Sequence, residues 1–144
     1  MQDLRSFKDF LRNIKTEYDE SRFYVNGDYV YYLPEGCILD KSIHYIRTGL
    51  LMGRLRNGRF EPSQALAMNL KACEWKNPLL LDLHDDRVMR YLKGETVIVN
   101  REEFPLLVKK GYVVISVDGY NLGFGKITSD GSIKNLYPKA WRLV

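Results

Sequence analysis

The chain has 144 residues, of which 45% are apolar, 28% charged and 12% aromatic; this ordinary globular composition excludes collagen-like, coiled-coil and low-complexity chains. At this length about 68–70% of the unfolded surface is buried on folding, which suits one domain or two small subdomains without disulfide staples. The net charge of +4 is unevenly placed: residues 1–40 carry 5 basic and 8 acidic side chains, 41–76 carry 7 and 2, 77–103 carry 4 and 6, and 104–144 carry 6 and 2. Two basic blocks that share a surface attract a polyanion, whereas two that do not are simply solvated faces.

Leu4, Phe7, Leu11 and Ile14 recur at helical spacing and predict an amphipathic first helix ending before Ser21. The period then changes to that of strands. Residues 23–25 and 29–33 flank Asn26-Gly27, a strong hairpin signal, and Pro34-Glu35-Gly36 ends that hairpin. A strand is expected at 43–47, another at 50–56, and a second Asn-Gly turn at Asn57-Gly58 before a short strand at 59–61. Pro62 and Ser63 then open a helix over 64–70. Lys76-Asn77-Pro78 is the expected junction of an N-terminal α+β subdomain, 1–76, with a second domain, 77–144.

In the second half, Asp85 and Asp86 at the start and Lys93-Gly94 at the end bracket a short helix. Strands are expected at 96–99, 112–117 and 121–128, with turns at Asp118-Gly119 and Ser129-Asp130-Gly131 and a helical crossover at 104–110. Short strands packed so tightly point to a small, highly curved sheet or barrel.

The sequence holds few groups arranged for catalysis. Two cysteines, Cys37 and Cys73, are too few for a disulfide framework and too far apart for a zinc knuckle, which fits a reducing, cytoplasmic setting. The charged start (Asp3, Arg5, Lys8, Asp9, Arg12) does not read as a signal peptide, and no apolar run approaches membrane-spanning length. His84 lies among Asp82, Asp85 and Asp86, but carboxylates at a helix start cap orphan amide groups, and the only other histidine is His44. The glycines of Gly119-Tyr-Asn-Leu-Gly123-Phe-Gly125 join strands instead of opening a helix, so they do not form a dinucleotide fingerprint. No catalytic residue, metal ligand or cofactor is expected.

The basic residues are better organised. Lys126, Lys134, Lys139 and Arg142 are interleaved with Asn135, Tyr137 and Trp141, a mixture in which cations position phosphates while rings and amides meet unstacked bases. Arg54 and Arg56 alternate with Leu55 and share a strand face, with Arg59 just past the turn and Arg47 upstream. In a bland alternative, Tyr137 and Trp141 are core aromatics ringed by solvated charges.

The stretch Gly111-Tyr-Val-Val-Ile-Ser-Val-Asp-Gly-Tyr-Asn-Leu-Gly-Phe-Gly-Lys126, with Lys134-Asn-Leu-Tyr-Pro-Lys139 after it, resembles the C-terminal PUA-like domain of the RsmF/Sun-type RNA cytosine methyltransferases. Gly49-Leu-Leu-Met-Gly53, Arg59-Phe-Glu-Pro-Ser63 and Ala65-Leu-Ala67 resemble the segment that precedes this domain, and 23–34 is similar to its strand pair. Leu136 stands where that family usually has His, and Ala140-Trp141 replaces a Gly-hydrophobic pair. The chain lacks the Pro-Cys dipeptide and the glycine-rich loop of the family's catalytic domain.

The resemblance implies an α+β subdomain followed by a PUA-like mixed β pseudo-barrel. It implies a stand-alone, non-catalytic binder of structured ribosomal or transfer RNA that takes part in RNA modification or ribosome biogenesis. The expected RNA surface comprises Lys126, Lys134, Asn135, Tyr137, Lys139 and Arg142, extended by Arg54, Arg56 and Arg59. In a second reading the chain is an accessory subunit that docks on a separate RNA methyltransferase or pre-ribosomal protein through the tyrosines of 29–32.

Overall fold

The computed structural model describes residues 3–45, 48–100 and 111–144. Contacts within the chain gather into two units, Met1–Leu66 and Ala67–Val144, and together they form the expected α+β class.

In the first unit, helix α1 (Arg5–Leu11) buries Phe7 and Phe10. It stops at Leu11, a turn earlier than the apolar spacing invites, because the Asn13 side-chain amide donates to the Phe10 carbonyl at 3.0 Å; Ile14 is buried beyond the helix end. Strands β1 (Phe23–Asn26), β2 (Tyr29–Tyr32), β3 (Leu50–Arg56) and β4 (Arg59–Pro62) form an antiparallel sheet in chain order. Asn57 and Gly58 both have positive φ, 52° and 73°, the requirement of a two-residue type I′ hairpin. Phe23 and Phe60 carry one face of the sheet onto Phe7, with ring centroids 4.9 and 4.8 Å apart. Alternation turns Arg54, Arg56 and Arg59 to the other face.

The strand expected at 43–47 is not there as far as residues 43–45. Asp40 holds this stretch in a turn instead: its carboxylate accepts from the Ser42 backbone N–H and hydroxyl, and its carbonyl accepts from the Ile43 N–H. Local side-chain bonding here defeats the apolar alternation. Ile46 and Arg47, like the crossover expected at 104–110, lie outside the described residues.

Helix α2 (Gln64–Asn69) begins as Ser63 predicts. The Ser63 hydroxyl accepts from the Leu66 N–H at 3.0 Å and donates to the Leu51 carbonyl.

The second unit is built on a mixed sheet of β5 (Leu79–Leu81), β6 (Val97–Ile98), β7 (Gly111–Val117), β8 (Tyr120–Ile127) and β9 (Ser132–Asn135), in the order β5-β7-β8-β9-β6. Among the described residues only the β5–β7 pair is parallel. Strands β5 and β9 are additions to the sequence expectation. Helix α3 (Asp86–Leu92) closes the inner face, packing Val88 and Tyr91 with Leu79, Leu81, Val97, Val113, Ile115, Val117 and Ile133. The Asp85 carboxylate caps α3 by accepting from the Arg87 N–H. Gly94, at φ 88°, ends it: its N–H reaches the Tyr91 carbonyl while that of Glu95 reaches Arg90.

The outer face of this sheet is covered at one end. Asn121 accepts from the Ser116 hydroxyl at 2.5 Å and donates to the carbonyls of Ala67 and Leu70. Trp75, fully buried, lies edge-on to Phe124. The same face continues past Phe124 to Tyr112, Lys126 and Lys134.

Candidate nucleic-acid interface

Register decides what the other end of this face presents. Tyr112 of β7 stands opposite Lys126 of β8, and Lys126 stands opposite Lys134 of β9. A tyrosine and two lysines therefore make one rank across three strands. The rank depends on a β-bulge: pairing shifts by one residue between Ile115 and Ser116, and without that shift the Asp118-Gly119 turn would set Gly125 against Tyr112. The Lys126 ammonium sits 5.4 Å from the Tyr112 ring centroid. Lys134 is exposed. Among the described residues no carboxylate lies within ion-pairing distance of either lysine.

The inner face at this level has been cleared to let the strands close. A Cβ on Gly125 would lie 2.2 Å from Ile133 Cγ2. Asn135, expected on the RNA surface, belongs to this inner side and is 9% exposed. Its amide donates to the carbonyls of Tyr91 and Glu95, at 2.8 and 2.9 Å, and its Oδ1 accepts from the Tyr137 N–H at 2.8 Å. The Asn135 side chain ties β9 to the end of α3.

Tyr137 and Arg142 are likewise committed to the fold. The half-buried Tyr137 ring lies between Tyr91 at 5.4 Å and Trp141 at 6.1 Å. Burial pushes the Tyr91 phenol far above its ordinary range, Tyr137 adds to the shift and Arg142 opposes it; the phenol stays protonated and donates to the Phe124 carbonyl. Arg142 donates from Nε to the Tyr137 carbonyl, its stem packs on Gly94, and the next residue, Leu143, bonds the Leu92 carbonyl. Lys139, by contrast, is exposed at the start of a 3-10 turn, Lys139–Trp141, that also exposes Trp141.

The first unit brings Arg54, Arg56 and Arg59 onto one hairpin face. Arg56 and Arg59 face each other across the β3–β4 turn, both exposed, and half-buried Arg54 lies 5.8 Å from the Tyr29 ring centroid. Of the β2 tyrosines, Tyr31 is buried and Tyr32 is enclosed by Tyr18, Phe23 and the Arg22 guanidinium. Only Tyr29 of the three is exposed.

The carboxylates around His84 act as the sequence suggests. The Asp82 side chain accepts from the His84 backbone N–H, Asp85 pairs with Arg87, and Asp86 lies 3.6 Å from Arg90. Among the described residues no three His, Cys, Asp or Glu side chains converge on a point that would hold a metal ion.

Residues 9–70 match the family described as the RsmF rRNA methyltransferase first C-terminal domain, and residues 78–143 match the methyltransferase RsmF PUA domain. The chain belongs to the RsmF family. The two matches are both to C-terminal domains of that family, and the mixed, curled sheet of the second unit is its PUA domain. Tyr112 is an aromatic group of this PUA unit that sequence reading left out, and Trp141, named there beside the basic residues, was not carried into the expected RNA surface. Tyr112 was hidden by the bulge, which no turn residue announces. Trp141 was within reach, since it lies two residues from Lys139 in a stretch free of carboxylates.

Proposed function

We propose that the chain binds structured ribosomal or transfer RNA by itself, in the cytoplasm, in the service of RNA modification. The observation that carries this is the Tyr112–Lys126–Lys134 rank on a PUA-type domain of an rRNA methyltransferase family. Two ammonium groups held side by side without a carboxylate among the described residues suit adjacent phosphates of one strand. Lys139 adds a further exposed cation, and the exposed Trp141 ring offers a face to a base or ribose. The chain's part is to hold and position RNA, and a methyltransferase centre carries out the group transfer.

Binding of the purified chain to total cellular RNA at a series of salt concentrations, followed by sequencing of the retained RNA, tests this. Selective retention of ribosomal or transfer RNA with affinity falling steeply as salt rises is the expected result. No retention even at low salt overturns it.

A further inference from the structure

The N-terminal unit carries cations that the PUA surface does not use. From residue 41 to residue 60 the sequence has no Asp or Glu, and three arginines of this stretch, Arg54, Arg56 and Arg59, lie on one hairpin. Leu55 and Phe60 point inward, each 3% exposed, so Arg54, Arg56 and Arg59 share the opposite face of the β3–β4 ladder. Arg56 and Arg59 are direct cross-strand partners, and like charges so placed repel. The Asn57-Gly58 turn already sets the hairpin through its positive φ angles, so the turn geometry does not call for either arginine.

These cations also lack ion-pair partners among the described residues. No carboxylate lies within ion-pairing distance of Arg54, Arg56 or Arg59, although Glu61 is the register partner of Arg54. The Arg54 Nε is buried with no hydrogen-bond acceptor. Its guanidinium has the Tyr29 ring beside it, and that ring is 43% exposed. All three cations are arginine, whose planar fork matches an oxyanion at two points. An aromatic ring next to the fork suits a nucleotide better than an acidic peptide.

We infer that this arginine face is a second phosphodiester-binding surface, on which Arg56 and Arg59 grip the RNA backbone, Arg54 supplies a further donor and Tyr29 meets a base or ribose. The inference rests on the reading that the partner is RNA, but it assigns a different surface on a different unit.

The test uses the full chain and a fluorescein-labelled RNA stem-loop with a single-stranded 3′ tail, followed by anisotropy across a range of salt. One variant is Arg56→Gln with Arg59→Gln; the other is Lys126→Gln with Lys134→Gln. The arginine variant should weaken binding about tenfold at low salt and reduce the salt slope by roughly 1.4–2, the share of two phosphate contacts, with a melting temperature no lower than that of the unmodified chain. Unchanged affinity and slope in that variant overturn the inference, and leave the PUA reading standing if the lysine variant loses binding. Loss in the arginine variant alone supports the inference and overturns the lysine surface. Loss of affinity for poly-glutamate with RNA binding intact assigns the face to an acidic protein and overturns the inference. Ultraviolet crosslinking of the unmodified chain needs no substitution: RNA attached within residues 29–59 is expected, and its absence there counts against the proposal.

Discussion

Lys126 and Lys134 are direct cross-strand partners on β8 and β9, two ammonium side chains on one face of an antiparallel pair. Such a pair costs the folded state a few tenths to about 1 kcal/mol, and the Tyr112 ring under Lys126 offsets only part of this. A surface that keeps an unfavourable pair is one whose charge is answered by something outside the chain. Replacing both lysines by Gln should raise the melting temperature by a degree or two while weakening RNA binding and lowering its salt slope by roughly 1.4–2. Thermal melts and anisotropy titrations on the same preparation check both signs. A variant that melts lower, or that binds RNA as before, would remove the argument.

Asn135 separates a structural role from a binding role. Truncation to Ala leaves the Glu95 carbonyl and the Tyr137 N–H without the amide that joins them, while the Tyr91 carbonyl keeps the Gly94 N–H. Unmet buried groups cost about 1–3 kcal/mol each, so Asn135→Ala should destabilise the chain by about 2–4 kcal/mol in urea unfolding. RNA affinity measured well below the melting point should be unchanged. A loss of affinity with unaltered stability would return Asn135 to the RNA surface.

Gly125 is required by steric closeness and not by its φ angle. A Cβ there would meet Ile133 Cγ2 at 2.2 Å and the Lys134 carbonyl at 3.2 Å. Gly125→Ala should cost about 1–3 kcal/mol through overpacking. Because the clash is chiefly with one side chain, Ile133→Ala should cost less in the Gly125→Ala background than alone, a coupling on the order of 1 kcal/mol in a double-mutant cycle. Additive effects would place the strain in the backbone instead.

These residues show where the sequence could be read and where it could not. Asn57-Gly58 and Asp118-Gly119 both take positive φ at each position, and Asp85 and Gly94 start and stop α3 as their chemistry demands. Such features are local, so local pattern finds them. Strand β5 is three leucines recruited by a parallel partner more than thirty residues away, and nothing within the triplet distinguishes strand from helix. The rank of Tyr112 with Lys126 depends on a bulge formed by tertiary pairing. Asn135 sits between Lys134 and Tyr137 in sequence and looks like part of a polar, basic stretch. Strand alternation sends Lys134 outward and Asn135 inward, and that alternation was invisible while β9 went unrecognised as a strand.

Asp130 gives the second unit an acid-sensitive turn. Its carboxylate accepts from the Thr128 hydroxyl, from the Ser132 hydroxyl at 2.7 Å and from the Ser132 N–H at 3.0 Å. The Thr128 hydroxyl first, then Ser132, lowers its pKa to about 2 from 3.8. With the folded value below the unfolded one, the ionised turn stabilises the fold fully above about pH 4, and this contribution fades as pH falls toward 2. Asp85, Asp40 and Asp19 are also lowered, by bonds from Arg87, Ser42 and Ser21 respectively, so the wild-type acid profile is a sum over several groups. The share of Asp130 is isolated by difference. Asp130→Asn should be less stable than wild type at neutral pH, and the gap should narrow between pH 4 and pH 2, where the wild-type carboxylate takes up its proton. Urea unfolding of both proteins at half-unit steps of pH measures this gap. A gap that stays constant through that window would mean that the turn is held by its backbone and hydroxyl bonds, with no contribution from the charge on Asp130.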